Sequence, residues 1–229
     1  MSKLELPTVP FSDNGFEILN NVVAASDIEF ITNEVVSSDI KRRRGGIRNA
    51  EKKYHSIQSL VSSKELINKA QGYLSGKPKI VRVIYFDKTQ ENNWFVTWHQ
   101  DRTVAVTQRF KLEGWGPWSK KEGIHHVQPP VEILNNMITF RIHLDTANEQ
   151  NGCLKVIPGS HKHGVLSSDE IHQYCESYDT VYCEVYKGGM LIMRPHLLHS
   201  SSKALNPTNR RVVHVEYSGY CLPTGISWA

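Results

Sequence analysis

The residues best suited to chemistry in this chain are its histidines, of which there are 11 among 229 residues. Residues two apart on a β-strand project from the same face. Such a pair can offer an imidazole and a carboxylate to one metal ion. A second His from a neighbouring strand would complete a two-His, one-carboxylate set, which leaves three positions open on iron(II). Three His-x-Asp/Glu pairs fit this spacing: His99 with Asp101, His143 with Asp145, and His214 with Glu216.

Position in the chain distinguishes these pairs. His214 lies too near the end of the sequence to be followed by a distal His, whereas the other two pairs can both reach His199. Of those two, only the pair of His99 and Asp101 lies where a predicted strand opens into a long aromatic loop. Ligand sites favour such loops. We therefore predict a metal site formed by His99, Asp101 and His199.

A cation downstream of His199 indicates a second ligand. Arg offers a planar fork that binds a carboxylate through two hydrogen bonds, which Lys cannot do. A turn around Asn206-Pro207 and a returning strand would bring Arg210 beside His199, with Ser201 on the same face as that histidine. The neighbouring Arg211 would face the other way. This pattern predicts a 2-oxoglutarate site.

The elements that must position these residues are mainly strands. Two capping boxes, Ser26 with Glu29 and Ser62 with Glu65, predict helices near the start. Beyond residue 78 the sequence is typical of short strands joined by hairpin turns, which predicts a jelly roll flanked by N-terminal helices. The predicted strands cover residues 79–86, 94–101, 103–107, 138–145, 153–157, 180–186, 190–193, 197–201 and 211–217.

One domain is expected, with a helical part over about 1–78 and the jelly roll over about 79–220. Residues 108–133 form a long irregular stretch rich in Gly and Pro, and such stretches are functional or disordered. Because the stretch also carries Trp115, Trp118, His125 and His126, we expect an ordered lid. Trp115 and His126 are candidate substrate contacts. The alternatives are that the tryptophans only pack the lid down and that the histidines lie on its surface.

Composition excludes several classes of protein. The net charge is +4 and the basic run Lys41 to Arg44 is short, so nucleic acid is not expected as a partner. There is neither a targeting pattern nor an apolar run long enough for a membrane span, and the four cysteines include no close pair. We expect a cytoplasmic protein with reduced thiols that acts on a small molecule. Monomer and dimer both stay open.

Taken together, the motifs resemble the phytanoyl-CoA dioxygenase family of iron(II)- and 2-oxoglutarate-dependent oxygenases, over almost the whole chain. No single motif is specific, but the combination is. The matching segments are Gly15 to Leu19, Trp98 to Asp101, Asn151 to His161, Gly188 to Leu191, and then His199, Ser201, Asn206 and Arg210.

The resemblance implies roles for named residues. Iron(II) would bind His99, Asp101 and His199, while Arg210 and Ser201 would hold the far carboxylate of 2-oxoglutarate. Gln100 is a further expected contact of the co-substrate. One position departs from the pattern, because Arg141 stands where some relatives have a tryptophan that contacts the co-substrate.

The face of the strand that carries Arg141 reads Thr139, Arg141, His143, Asp145. This polar line either meets solvent or lines the cavity. In the second case Arg141 could pair with an anionic group of the prime substrate, and the family's co-substrate contacts cannot all be carried over.

The resemblance further implies hydroxylation of an unactivated C–H bond with consumption of O2 and release of succinate and CO2. Alternatives are desaturation or ring formation with the same cofactors, a cupin-like metal enzyme that does not use 2-oxoglutarate, and a non-catalytic binding protein. The prime substrate stays open, because relatives act on acyl thioesters, amino acids, peptides and secondary metabolites.

Overall fold

The computed structural model describes residues 9–38, 46–205 and 208–229. The basic run Lys41 to Arg44 and the turn at Asn206-Pro207 lie outside these ranges. No helix in the described ranges is long and apolar enough to cross a bilayer.

The helices are short and lie mostly before the strands. They are α1 Phe11–Asn14, α2 Ala25–Ser37, α3 Ala50–Lys53, α4 His55–Val61, α5 Lys64–Gln71, α6 Val131–Asn135 and α7 Ser168–Ser177, with a 3-10 turn at Ser160–His163.

Thirteen strands are described, and they include all nine that the sequence predicts. The strands are β1 Phe16–Leu19, β2 Ile47–Arg48, β3 Lys79–Lys88, β4 Val96–His99, β5 Val104–Val106, β6 Trp118–Lys121, β7 Ile124–Val127, β8 Met137–His143, β9 Leu154–Val156, β10 Val181–Cys183, β11 Met190–Met193, β12 His199–Ser201 and β13 Arg210–Ser218.

These strands form three antiparallel sheets. The large sheet has the order β1-β11-β8-β13-β3-β2, the small sheet has the order β10-β9-β12-β4, and a third sheet has the order β5-β7-β6. Residues of the large and small sheets together line one cavity of about 600 Å³. The predicted mainly-β jelly roll is confirmed by this architecture and by the structural relatives described below.

The large sheet has two chemically different faces. Its outer face packs on the helices through fully buried apolar side chains such as Val83, Tyr85, Phe140 and Val213. The residues between them project to the opposite, inner face, because side chains alternate along a strand. That inner face carries Arg82, Ile84, Phe86, Lys88, Arg141, Arg210 and His214.

Both predicted capping boxes are wrong in register. Helix α2 begins at Ala25 after the extended residue Ala24, and neither Ala24 nor Ser26 caps it with a side chain. Helix α5 is capped by Ser63, one residue after the predicted Ser62, whose backbone ends α4. The predicted apolar faces of both helices are nevertheless buried. A capping box does occur, at Ser167 and Glu170, where it begins the unpredicted helix α7.

The stretch 108–133 is more regular than the sequence predicts. Strands β6 and β7 form a hairpin that pairs with β5. Glu122 and Gly123 make its two-residue turn with φ angles of 49° and 84°, as in the tight turns that match strand twist. Lysines and histidines occupy much of this hairpin, and so its strands lack an apolar pattern. The prediction of an irregular loop is therefore wrong over these two strands, and the role of the stretch as a lid stays a prediction.

Candidate metal centre and co-substrate pocket

Strand pairing brings the three predicted metal ligands together. His99 and His199 are direct partners across β4 and β12, and their ring centroids lie 4.2 Å apart. Asp101 follows β4, where its backbone N–H donates to the carbonyl of Pro195 at 2.9 Å. Its two carboxylate oxygens lie 4.0 Å from His99 Nε2 and 3.6 Å from His199 Nε2. This spacing suits one shared metal ion.

Backbone hydrogen bonds orient both imidazoles. The Nδ1 atoms of His99 and His199 donate to the carbonyls of Thr97 and Leu197, each at 2.8 Å. A donor at Nδ1 leaves the lone pair of a neutral imidazole on Nε2, which is the atom that faces Asp101. Such bonds fix the tautomer and ring orientation of metal-binding histidines. The donor set therefore fits a divalent metal without rearrangement of the rings.

The electrostatics of the three ligands also suit a cation. Burial alone would raise the pKa of Asp101, but His199, Arg82 and His99 outweigh it and hold the pKa below its ordinary value. Burial, followed by the neighbouring His99, lowers the pKa of His199 to about 3. At neutral pH the carboxylate is thus ionised and the buried imidazole is neutral, which are the forms that bind metal.

The predicted carboxylate-binding arginine lies in the same cavity. Arg210 is buried, and its Nε and Nη1 atoms have no hydrogen-bond partner among the described residues. Buried polar groups in proteins are normally hydrogen-bonded. The cavity beside Arg210 therefore fits a ligand that accepts hydrogen bonds, such as a carboxylate. Ser201 lies at this end too, and its hydroxyl donates to the carbonyl of Gly152 at 2.9 Å.

Lys88 belongs to this end of the cavity although the sequence analysis missed it. It faces Arg210 across β3 and β13, and its Nζ donates to Ser201 Oγ at 2.8 Å and to the Ser202 carbonyl at 2.9 Å. Burial, and then Arg210 and Arg141, lowers the pKa of Lys88 to about 7. The signal was the alternation along β3, which continues from Phe86 to Lys88 on one face.

Arg141 lines the cavity. Of the two alternatives for the polar face of its strand, outer solvent or the cavity, the structure therefore has the cavity. Arg141 is 7% exposed, and its guanidinium lies 5.3 Å from the centre of the Phe86 ring. Its Nη1 donates to Nδ1 of His214 at 3.0 Å, while its Nε has no hydrogen-bond partner in the described part of the chain. Burial lowers the pKa of Arg141 to about 10, so the side chain stays charged.

The amide of Gln100 is bonded to the backbone. It donates to the carbonyls of Gly164 and His196, both at 2.7 Å, and accepts from the N–H of Leu166 at 2.8 Å. Gln100 borders the cavity, and these bonds hold the loop after the 3-10 turn against the metal ligands. Its contact with the co-substrate stays a prediction.

Trp115 and His126 do not border the cavity. Trp115 packs against Phe110 and Tyr220, with ring centroids 4.9 and 6.1 Å away. His126 is buried in β7, and its burial, together with Arg82, lowers its pKa to about 4. Their contact with substrate stays a prediction that this placement does not support.

The two other His-x-Asp/Glu pairs have different surroundings. Asp145 binds Arg211 through two hydrogen bonds of 2.6 and 2.7 Å, so it is already paired. His214 and Glu216 lie close enough to Asp101 to form a second metal-ligating group. In this structure, however, Arg82 makes a short ion pair with Glu216.

The sequence profile of the phytanoyl-CoA dioxygenase family matches residues 11–212. The chain belongs to the phytanoyl-CoA dioxygenase family. This membership confirms the resemblance predicted from the motifs and supports the predicted cofactors iron(II), 2-oxoglutarate and O2. The candidate metal site for those cofactors is the cluster of His99, Asp101 and His199.

The chain is similar in sequence to the methylphosphonate hydroxylase of Gimesia maris. It is 26% identical over 118 residues, which are 50% of this chain and 45% of the relative. The match thus spans less than half of that protein's length.

Solved structures share the fold over most of the chain. AviO1 from Streptomyces viridochromogenes Tue57 superimposes with a TM-score of 0.67 at 22% identity, covering 93% of both chains. HygX from Streptomyces hygroscopicus, solved with nickel and 2-oxoglutarate bound, gives a TM-score of 0.66 at 14% identity, covering 94% of this chain and 84% of HygX. At this identity the likeness establishes the fold.

Proposed function

We propose that this protein is an iron(II)- and 2-oxoglutarate-dependent dioxygenase that hydroxylates a C–H bond of a small organic substrate. One observation carries the proposal. The Nε2 atoms of His99 and His199 converge on the Asp101 carboxylate in a cavity that also holds Arg210, a buried cation without a carboxylate partner among the described residues.

Each end of the cavity has its own task. The triad would hold iron(II), and Arg210 with Ser201 and Lys88 would bind the far carboxylate of 2-oxoglutarate. When bound, these cofactors supply the oxidising power: one atom of O2 enters succinate as CO2 leaves, and the other enters the substrate. The protein contributes position, charge and exclusion of water.

Anaerobic addition of iron(II) and 2-oxoglutarate tests this assignment. We expect a weak visible charge-transfer band that is lost in Arg210→Ala, because that variant lacks the anchor of the far carboxylate. Arg211→Ala is the matched control, since Arg211 points away from the cavity and binds Asp145; its band should persist. A band of normal strength in Arg210→Ala would contradict the co-substrate site.

Substitution of the carboxylate ligand is the second test. Asp101→Ala should abolish iron(II) binding and succinate formation, because the two remaining imidazoles lose the only anionic ligand of the triad. Asp145→Ala is the control, because Asp145 belongs to a His-x-Asp pair outside the proposed triad, and it should retain iron(II). Succinate formation in Asp101→Ala would remove Asp101 from the triad. Product analysis by mass spectrometry then separates hydroxylation from desaturation or ring formation.

A further inference from the structure

A second group of cations lines the same cavity, away from Arg210. It consists of Arg48 on β2, Arg82 on β3 and Lys121 at the end of β6. Arg82 pairs in register with Glu216, and Arg210 lies six residues earlier on that strand. At about 3.3 Å per residue, about 20 Å of strand separates Arg82 from Arg210. Arg82 Nη2 also lies 3.9 Å from Asp101 Oδ1, so this group borders the metal site.

The charge of the cavity is strongly unbalanced. Seven cationic side chains line it but only one carboxylate, that of Asp101, among the described residues. Iron(II) and the 2-oxoglutarate dianion carry opposite charges of equal size, so their binding leaves the excess in place. Since separated like charges in a partly buried site repel each other, the filled cavity would still favour an additional anion.

Arg48 and Lys121 are the members of this group without a carboxylate partner. Glu216 neutralises Arg82, whereas neither of the other two forms an ion pair within the described ranges. The Nε atom of Arg48 is buried and has no hydrogen-bond partner there. All three side chains line the same cavity. Burial, followed by Arg48 and Arg82, lowers the pKa of Lys121.

We propose that Arg48 and Lys121 bind an oxyanion head group of the prime substrate, such as a carboxylate or a phosphonate, in the part of the cavity remote from Arg210. This assignment rests on the proposed function and names the substrate class. Because Arg82 of this group lies 3.9 Å from the proposed metal ligand Asp101, the head group binds beside the metal. The oxidised C–H bond then lies only a few bonds from the anion, so the substrate is a small organic acid.

Binding to a catalytically inert complex tests the proposal. The protein is filled with cobalt(II) and N-oxalylglycine, an unreactive analogue of 2-oxoglutarate, and titrated calorimetrically with ethylphosphonate, propionate and the neutral isostere propionamide. The two anions should bind at least about ten-fold more tightly than propionamide, since charge-assisted hydrogen bonds are about twice as strong as neutral ones. Cobalt(II) should also strongly enhance the ³¹P relaxation of ethylphosphonate.

The variants Arg48→Gln and Lys121→Gln should each weaken anion binding about ten-fold by removing one charge. Lys120→Gln is the matched control, since Lys120 is the neighbour on the same hairpin and does not line the cavity, and it should bind as the wild type does. Equal binding of propionamide and propionate, or wild-type anion binding in both Gln variants, would overturn the proposal.

Three further outcomes distinguish failure of the proposed function from failure of the anion site. Failure of N-oxalylglycine to bind the cobalt(II) protein would sink the proposed function itself, and this inference with it. Normal N-oxalylglycine binding without any effect of Arg48 or Lys121 would sink the inference alone. Coenzyme A is the last probe: binding that depends on Arg48, without binding of the small acids, would place the recognised anion far from the reacting carbon and overturn the small-acid assignment.

Discussion

Phe140 and Arg141 are neighbours on β8, yet they serve opposite faces of the large sheet. Phe140 is fully buried between the rings of Tyr73 and Tyr217 on the face that packs against the helices. Arg141 is nearly as buried on the cavity face, where it contacts the Phe86 ring and donates a hydrogen bond to His214. Burial therefore has different effects on the two faces of this sheet. On the helix-facing side it stabilises the fold, and on the cavity side it desolvates charged side chains that are available to bind a ligand.

The largest change in stability should come from a substitution on the face of the large sheet that packs against the helices. Phe140→Ala should lower the free energy of unfolding by about 3–5 kcal/mol, because it removes buried aromatic surface and leaves a cavity. Urea denaturation of the metal-free protein measures this loss. Phe30→Ala, whose ring is exposed, should change stability little. A loss below about 1 kcal/mol in Phe140→Ala would show that this face is not the source of stability.

A smaller effect concerns charge on the cavity face. Lys88 has a pKa of about 7 because of burial, then Arg210 and Arg141, so in the free protein it loses its proton as the pH rises through 7. A dianion prefers the protonated lysine, and the affinity for 2-oxoglutarate should fall by up to about ten-fold per pH unit above that pKa.

Anaerobic titration of the charge-transfer band at several pH values measures this dependence. Lys88→Met should bind 2-oxoglutarate more weakly and without the fall above pH 7. The exposed Lys187→Met should behave as the wild type does. A wild-type affinity that rises with pH would reject the role of Lys88.

The smallest expected effect is the change in stability on substitution of Arg141, the neighbour of Phe140 on the cavity face. Arg141→Met removes a buried cation that has no carboxylate partner among the described residues, so the relief of desolvation offsets the lost bond to His214. The free energy of unfolding should stay within about 1 kcal/mol of the wild type or rise. The same urea experiment measures it. A loss as large as that of Phe140→Ala would end the distinction between the two faces.

The parts of the fold that follow local rules were predictable from sequence. Nine strands were predictable from alternation and turns. The closeness of His99 and Asp101 was predictable because the His-x-Asp spacing suits one face of an extended segment, although β4 itself ends at His99. Their role as metal ligands stays a prediction. The hairpin of β6 and β7 was missed, because Lys and His residues along Trp118–Lys121 and Ile124–Val127 hide its alternation. The sequence favours Ser62 because it stands three residues before Glu65, as a capping box requires, whereas the backbone places the cap at Ser63.

Tertiary contacts decided what the sequence left open. The direction of Arg141 depends on which face of β8 the helices cover, and that is fixed by packing elsewhere in the chain. Alternation along β3 indicates the face on which Lys88 lies, but only the pairing with β13 places it opposite Arg210. The sequence carries no such signal for Arg48, because its place in the cavity depends on the pairing of β2 with β3.

The hairpin of β6 and β7 has one consequence for how selectivity can change. Lys121 reaches the cavity from a separate three-stranded sheet, whereas the candidate metal ligands and Arg210 lie on or beside strands of the jelly roll. Replacing the residues around the hairpin turn with those of a homologue would therefore change one of the side chains proposed to bind the head group. Divergence toward new acids could then proceed by swapping a few residues around the turn, with the oxidation chemistry inherited unaltered.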